Sequence, residues 1–309
     1  MVLKWRSREA VGLVGVLLAL WSGMVLGSRY QAAMDESSWE VNASIFECKL
    51  SHNIPFYGQA VFERGAGEAA RFRLQSSTPR LESGKAALVA KPPLWKPGVA
   101  AQDLGYVPVA RGKAPIVLDD KYAAQLLEVL FDGREVEFTR APWYPAEASS
   151  RVVLSTVNFQ AAYGQYLNCL AALLPVNFEQ IRRTAIYFRA GSASLAAAEE
   201  VKLDRIALYV QADRSVESFF IDGHTDSDGS REDNLELSRQ RAEMVTELLV
   251  KRGISAERIT TRWHGERYPV ASNRDASGRG KNRRVTIRLE KTAGPVVPTL
   301  ARTEPGGAG

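Results

Sequence analysis

The chain has 309 residues, of which 45% are apolar and 24% are charged, and its formal net charge is +5. This length is more typical of two domains than of one, and the apolar content excludes a chain that is disordered throughout. The basic excess is uneven and is largest between residues 251 and 291, which indicates an anionic partner only weakly.

The N-terminus has the pattern of a secretory signal. Lys4, Arg6 and Arg8 precede an apolar run over residues 11–26, and the small residue Gly27 follows the run. A membrane-spanning helix needs about 20 apolar residues, so we predict a Sec-type signal peptide that is cleaved after Gly27. A retained membrane anchor is the alternative. Export would place the protein in the periplasm.

The chain contains two cysteines, Cys48 and Cys169. In an exported protein, two cysteines are most simply explained by a disulfide, because the compartment is oxidising. Two buried free thiols are the alternative. A disulfide between these positions would close a long loop in the N-terminal half.

Residues 28–177 have mainly β-strand patterns. Two runs of alternating polarity flank residues 65–67 and predict a β-hairpin, with Phe72 and Leu74 on the same face. Prolines between residues 91 and 98 exclude a sheet interior there, because proline cannot donate to a β-ladder. The N-terminal domain is therefore predicted to be β-rich.

Two helices interrupt this β-rich region. Asp119 or Asp120 caps the first, its apolar stripe ends at Leu130, and Gly133 follows it. The second is predicted over residues 161–173, where it would bring Cys169 back towards Cys48.

After residue 177 the pattern alternates between strands and helices. The predicted order is β-α-β-α-β-β, a compact α/β sandwich, so the whole chain belongs to the α+β class. The strands are predicted near residues 183–192, 215–223, 257–265 and 283–290, and the helices near 194–210 and 230–252. The inward face of the first helix is predicted to consist of Leu195, Ala198, Ile206 and Val210.

Residues 220–242, FIDGHTDSDGSREDNLELSRQRA, form an acid-rich stretch with several possible functions. A calcium loop does not fit, because its first and last positions would be His224 and Leu235 instead of acids. A catalytic pair of His224 and Asp226 lacks a nucleophile in a recognisable setting, and the three histidines lack zinc-ligand spacing. We therefore predict no catalytic residue, no metal and no cofactor.

The second predicted helix of this region places a charge on its buried stripe. Arg241 falls on the four-residue spacing of Leu237, Val245 and Leu249, and a buried guanidinium is costly unless it is paired. Asn234 shares its face of the helix.

Asp226 lies in the turn ahead of this helix. Two interpretations remain open from spacing alone. Asp226 and Arg241 hold the ammonium and the carboxylate of a zwitterionic ligand, or they form an internal ion pair.

A set of short motifs in the C-terminal half carries a family resemblance. The motifs are Ile221-Asp222-Gly223-His224-Thr225-Asp226, Gly229, Asn234, Leu237-Ser238, Arg241-Ala242, Gly253, Arg258, Gly265, Pro269 and Asn282-Arg283-Arg284-Val285. With these motifs, residues 178–291 resemble the OmpA-like peptidoglycan-binding domain. The resemblance implies that Asp226 and Arg241 grip the diaminopimelate of the wall peptide, with Asn234 and Arg284 as supports.

The N-terminal half resembles a narrower family. The matching segments are WEVNASIFECKLSHNIPFYGQAVFERGAGE, PPLWKPG and VVLSTVNFQAAYGQYLNCLAALLP, which resemble the MotY family of flagellar motor proteins. That resemblance implies a disulfide between Cys48 and Cys169. It also implies a periplasmic ring around the flagellar basal body that anchors the stator complex to peptidoglycan, with a MotX-like protein as a further partner. The chain departs from the family in its longer tail and in a longer stretch around residues 113–151.

Four segments follow from these observations: a signal peptide (1–27), a MotY-like partner-binding domain (28–177), an OmpA-like peptidoglycan-binding domain (178–291) and a disordered tail (292–309), which is rich in Pro, Gly, Thr and Ala. The predicted function is a non-enzymatic wall anchor of the flagellar motor. A general outer-membrane or periplasmic peptidoglycan-binding protein is the alternative. The stator subunit itself is disfavoured, because residues 11–26 contain no acid, and export disfavours nucleic acid as a partner.

Overall fold

The computed structural model describes residues 28–78, 81, 83–93, 95–96, 98–140 and 149–292. The predicted signal peptide lies outside these residues, and so does the predicted tail after residue 292. Within them, no helix is long and apolar enough to cross a membrane. Buried apolar side chains form one cluster over residues 39–169 and a second over residues 174–289, which Ala66 also joins.

In its described residues, the N-terminal part contains two five-stranded sheets and two helices. The elements are β1 (Arg29–Tyr30), β2 (Trp39–Ala43), β3 (Glu47–Ile54), β4 (Gly58–Gly65), β5 (Arg71–Ser76), β6 (Gly84–Lys91), β7 (Gln102–Val109), β8 (Ile116–Leu118), α1 (Asp120–Phe131), β9 (Glu135–Arg140), β10 (Ser150–Leu154) and α2 (Phe159–Ala172). One sheet has the order β1-β10-β9-β6-β7 and the other the order β2-β3-β4-β5-β8. The predicted hairpin is confirmed as β4 and β5, with Phe72 and Leu74 both buried.

Helix α1 matches its sequence prediction at both ends. The carboxylate of Asp119 accepts a hydrogen bond from the Tyr122 backbone N–H at 3.2 Å, which is the usual way to satisfy a free N–H of the first turn. Leu126 and Leu130 are fully buried. Gly133 follows the helix with a φ of 78°, a conformation that favours glycine.

A disulfide joins α2 to the sheet of β3. Cys48 and Cys169 are bonded, with their Cα atoms 5.9 Å apart, which confirms the predicted disulfide. The two cysteines are 121 positions apart, and closing a loop of this length stabilises a fold by roughly 4–5 kcal/mol in the chain-entropy model. At the other end of α2, Trp39 packs edge-on against Phe159 with ring centroids 4.9 Å apart. The disulfide and this aromatic contact therefore hold both ends of α2 against β2 and β3.

In its described residues, the C-terminal part is one four-stranded sheet with its longer helices on one face. The elements are α3 (Phe178–Ile181), β11 (Arg183–Tyr187), α4 (Ala197–Ala212), β12 (Val216–Gly223), α5 (Arg231–Lys251), β13 (Ile259–Trp263), α6 (Ala276–Asn282) and β14 (Arg284–Lys291). The strand order is β11-β14-β12-β13. Strands β12 and β13 are parallel, and β14 runs antiparallel to both β11 and β12. This confirms the predicted β-α-β-α-β-β order and the α+β class.

Two details of the prediction need correction. The short helix α6 was not predicted, because Gly278 and Gly280 lower helix propensity; Asp275 caps it by accepting from the Gly278 N–H at 2.7 Å. Ala198 was predicted to face inward but is exposed. The first turn of α4 instead caps β11, because the carboxylate of Glu199 accepts from the Tyr187 N–H at 3.0 Å.

Two hairpin tips of the N-terminal part contact the C-terminal part and the segment that leads into it. The Leu174 N–H donates to the Ile45 carbonyl at 2.9 Å, and the ring of Phe46 lies edge-on to Tyr209 at 5.7 Å. Gly67 has a φ of +65°, and a Cβ there would lie 2.4 Å from Oε1 of Gln180. This contact therefore needs glycine.

Candidate functional site

The candidate residues gather where β12 ends and α5 begins. After β12 the chain passes through His224, Thr225 and Asp226 before Ser230 caps α5 by accepting from the Asp233 N–H at 3.1 Å. The Thr225 N–H donates to the Gly265 carbonyl at 3.0 Å. This bond ties the turn to the segment that follows the parallel strand β13, so the two loops border one site.

A close approach of helix and strand fixes the floor of the site. A Cβ on Gly223 would lie 2.2 Å from the backbone oxygen of Ser238, so only glycine lets α5 pack directly over the end of β12. Ser238 is fully buried, and its hydroxyl accepts from the Gly265 N–H at 2.9 Å. The predicted stripe placed Leu237 inward; Leu237 is only half-buried, and Ser238 takes the buried position.

Arg241 is the largest fully buried side chain among the described residues. Its guanidinium donates to three backbone carbonyls: from Nε to Ser192 at 2.9 Å, from Nη2 to Arg189 at 3.0 Å and from Nη1 to His224 at 3.3 Å. Burial lowers its pKa to about 10, and nearby Asp226 opposes that shift. Arg241 is therefore charged at neutral pH and held rigidly, with two of its five N–H donors left over.

Asp226 is buried beside this arginine, but its ion pair is with another residue. Its Oδ2 accepts from Nη1 of Arg283 at 2.7 Å, and Arg283 also donates from Nε to the Phe188 carbonyl at 3.2 Å. Of the two interpretations left open by the sequence, an internal pair therefore exists, but it joins Asp226 to Arg283. Arg241 acts on Asp226 only through space.

Asn234 and Arg284 hold the two loops that border the site. The Asn234 amide donates to the Asp228 carbonyl at 3.1 Å and to Oε2 of Glu266 at 3.0 Å. Arg284 donates from Nη2 to the Tyr268 carbonyl at 3.1 Å, and burial lowers its pKa. Both side chains position backbone around Asp226 and Arg241 instead of contacting them.

Two buried polar atoms of the turn have no hydrogen-bond partner in the described structure. They are Oγ1 of Thr225 and Nδ1 of His224. Burial, assisted by Arg284 and His264, lowers the pKa of His224 to about 4, so its ring is neutral at neutral pH. Unpaired buried polar atoms are costly and rare in proteins, which makes this turn a candidate binding position.

Sequence reasoning missed Arg283 and the role of Asn282. Arg283 stands just before β14, so strand alternation could not rank it above Arg284. Asn282 is fully buried, and its Oδ1 accepts from the Val270 and Ala271 N–H groups at 2.8 and 3.1 Å. The signal that could have found both is their place in the run Asn282-Arg283-Arg284-Val285, which the resemblance already contained.

Comparison with known proteins identifies the family. The MotY N-terminal domain matches residues 30–175, and the OmpA family matches residues 187–283. The sodium-type flagellar protein MotY of Vibrio parahaemolyticus is 32% identical over 285 residues, which cover 90% of this chain and 97% of that protein. The chain belongs to the MotY family.

Further relatives match shorter stretches of this MotY-family chain. The probable lipoprotein YiaD of Escherichia coli is 46% identical over 67 residues, or 22% of this chain and 31% of that protein. Outer membrane protein A of Bordetella avium is 41% identical over 87 residues, or 28% of this chain and 44% of that protein. The solved peptidoglycan-associated lipoprotein of Burkholderia pseudomallei is 28% identical with a TM-score of 0.33, over 34% of this chain and 89% of that one.

The two family matches fall on the two hydrophobic clusters of the MotY-family chain. The MotY match includes both cysteines of the disulfide, and the OmpA match includes Asp226, Asn234 and Arg241. The OmpA match ends at Arg283, one residue before Arg284. The site thus combines one carboxylate with three buried or half-buried arginines, a mixed-charge arrangement with a positive excess.

Proposed function

We propose that this MotY-family protein is a periplasmic component of the flagellar motor that binds peptidoglycan and anchors stator units around the basal body. The observation that carries the proposal is the rigid, charged Arg241 beside Asp226, in a segment that matches the OmpA family. A guanidinium already fixed by backbone carbonyls loses little entropy when it binds an anion, which favours affinity.

The proposed ligand is the diaminopimelate of the wall peptide, which carries an ammonium and a carboxylate on one side chain. Asp226 would hold the ammonium, and the remaining donors of Arg241 would hold the carboxylate. Thr225 and His224 offer their unpaired atoms to the same ligand. Asn234 and Arg284 would support the site from its two bordering loops.

The proposed organisation assigns different partners to the two parts of the chain. Residues 28–177 would contact the basal body, a MotX-like protein and the stator complex, and residues 178–291 would hold the wall. The two hydrophobic clusters divide between Cys169 and Leu174, which supports a boundary close to residue 177. The protein would be exported by its N-terminal signal and would act by binding, not by catalysis. Membership of the MotY family supports both statements.

Co-sedimentation with purified sacculi tests the site. Asp226→Asn keeps the shape of the side chain but removes the charge, and we expect it to weaken sedimentation at least about tenfold. The matched control is Asp228→Asn, because Asp228 lies in the same turn with its side chain 72% exposed. Equal sedimentation of the two variants would contradict the site, provided that both unfold at the parent's temperature.

A clean deletion strain tests the motor role. We expect filaments of normal number and length but weak or absent swimming, because stator units would no longer be anchored. Normal swimming would favour a general peptidoglycan-binding protein outside the flagellum.

A further inference from the structure

A cavity of about 540 Å³ lies at one end of the sheet of β1, β6 and β9. Its wall is largely apolar, from Ala32, Pro92 and Val157. Two further apolar side chains line it while staying exposed: Met34 is 61% exposed and Trp95 is 48% exposed. Exposed aromatic and methionine side chains at the edge of a cavity are typical of a binding site for another molecule.

One carboxylate in this cavity lacks a strong partner. Glu135 lines the cavity and is only 8% exposed. Its Oε1 accepts from Nε2 of Gln31 at 2.9 Å, but Nη2 of Arg29 is 4.0 Å from Oε2. Buried charges normally have a close and well-oriented counter-charge. Oε2 of Glu135 therefore remains available to a cation.

The neighbouring glutamate takes the local cations. Glu137 accepts from Nζ of Lys91 at 2.5 Å and from the Thr139 hydroxyl at 3.1 Å, and Nη1 of Arg29 lies 3.6 Å from its Oε2. Lys91 is thus committed to Glu137, whereas Arg29 is shared between the two glutamates and lies slightly closer to Glu137. Both cations also line the cavity.

The pKa values of the two glutamates agree with this difference in their cationic partners. Burial raises the pKa of Glu135, and Arg29 and Gln31 only partly offset it. Burial also acts on Glu137, but Lys91, Thr139 and Arg29 together hold its pKa below the ordinary value. The cations therefore compensate Glu135 less fully than Glu137.

We propose that this cavity binds the lysine or arginine side chain of a partner protein. The cationic head would pair with Oε2 of Glu135, and the aliphatic stem would pack against Trp95 and Met34. A cation near an indole face gains additional electrostatic attraction, and long basic side chains bury their stems on apolar surface. The inference rests on the proposed role of the N-terminal part in contacting other motor proteins.

The charge pattern favours a cation over the alternatives. An anion would meet Glu135 and would find Lys91 already held by Glu137 and Arg29 shared between the two glutamates. A purely apolar side chain would bury Glu135 without a counter-charge, which is costly.

The test follows the indole N–H signals of the full-length protein by nuclear magnetic resonance during titration with N-acetyl-arginine amide. The Trp95 signal is assigned with Trp95→Phe, and Trp263, in the C-terminal part, serves as an internal reference. N-acetyl-norleucine amide and N-acetyl-glutamate amide are the apolar and anionic comparison probes. We expect the arginine probe alone to shift the Trp95 signal in a saturable way.

Two variants locate the charge that is responsible. Glu135→Gln should weaken binding of the arginine probe about tenfold, since one charge-assisted bond is lost. Glu63→Gln is the matched control, because Glu63 is a part-buried, ion-paired glutamate on the other sheet. Trp95→Ala, at a half-exposed position, should also weaken binding of the arginine probe while the unfolding temperature stays unchanged. Calorimetric titration measures its binding, because this variant lacks the reporting indole signal.

Several results would overturn the inference. They are the absence of a saturable Trp95 shift, an equal shift with the norleucine or glutamate probe, and unchanged affinity in Glu135→Gln. If the probe binds but Glu135→Gln cells swim normally, the cavity does not serve a motor partner. Sedimentation with sacculi separates this from the proposed wall binding, because Glu135→Gln should sediment like the parent even if the inference fails.

Discussion

In the N-terminal part the buried charges are two glutamates, whereas in the C-terminal part arginines outnumber the one buried aspartate. The N-terminal core is mainly aromatic and aliphatic and is closed by a disulfide. The C-terminal part also buries four polar side chains, Asn234, Ser238, Arg241 and Asn282, all at most 3% exposed. The disulfide therefore stabilises the first part, whereas the second part contains the buried charges of the proposed wall site.

The disulfide gives the largest expected effect on stability. The double variant Cys48→Ala, Cys169→Ala should lower the free energy of unfolding of the N-terminal part by roughly 4 kcal/mol, because the unfolded chain regains the freedom of a long loop. Chemical denaturation with N-terminal Trp39 fluorescence measures it. Sedimentation with sacculi at low temperature should not change. If the double variant also lost wall binding, the two parts would not be independent of each other.

Arg241 gives the largest expected effect on binding. Arg241→Lys keeps the charge but loses the planar fork that the three carbonyls and the ligand share. We expect affinity for a wall peptide to fall about 100-fold, or ~3 kcal/mol. The matched control is Arg239→Lys, since Arg239 lies on the exposed face of α5 and pairs with Glu236 and Glu243. Calorimetric titration measures both affinities. If the affinity of Arg241→Lys lies within twofold of that of Arg239→Lys, Arg241 has only a structural role.

The histidine of the site makes the C-terminal part sensitive to acid. The pKa of His224 is about 4 in the folded protein, whereas an unfolded histidine has its ordinary value near 6.5. The unfolded state therefore takes up a proton first, and stability that is present above pH 6.5 is lost as the pH falls towards 4.

The variant His224→Phe isolates this contribution, because phenylalanine keeps the ring stacked on His264 but does not titrate. Between pH 7 and pH 4.5, the parent should lose roughly 1–2 kcal/mol more stability than the variant. Thermal unfolding of both proteins over that range measures the difference. Parallel pH profiles would contradict a neutral buried His224.

Asn234 gives the smallest expected effect. Asn234→Ala removes the bonds to the Asp228 carbonyl and Glu266, so the bordering loops should loosen while Asp226 and Arg241 remain. We expect about fivefold weaker wall binding, or ~1 kcal/mol. A loss as large as that in Arg241→Lys would mean that Asn234 contacts the ligand directly.

The sequence was most informative where local rules decide the structure. Helix α5 was predictable from its Ser230 cap, its apolar spacing and Gly253, whose φ is 91°. The burial of Arg241 followed from the same spacing. The ion-pair partner of Asp226 could not be predicted in this way. Arg283 lies 57 positions away and comes close to Asp226 only because β14 pairs with β12. Ala198 and Leu237 were placed wrongly, since periodicity does not reveal where a helix overhangs its sheet.

Recognition of both charges on one wall side chain is the central claim. Its most direct test is calorimetric titration of the protein with a short wall peptide ending in diaminopimelate, alongside the same peptide with that side-chain carboxylate amidated. We predict binding of the free peptide, at least about tenfold weaker binding of the amidated one, and loss of this preference in Arg241→Lys. Equal affinity for the two peptides in the parent protein would contradict the account.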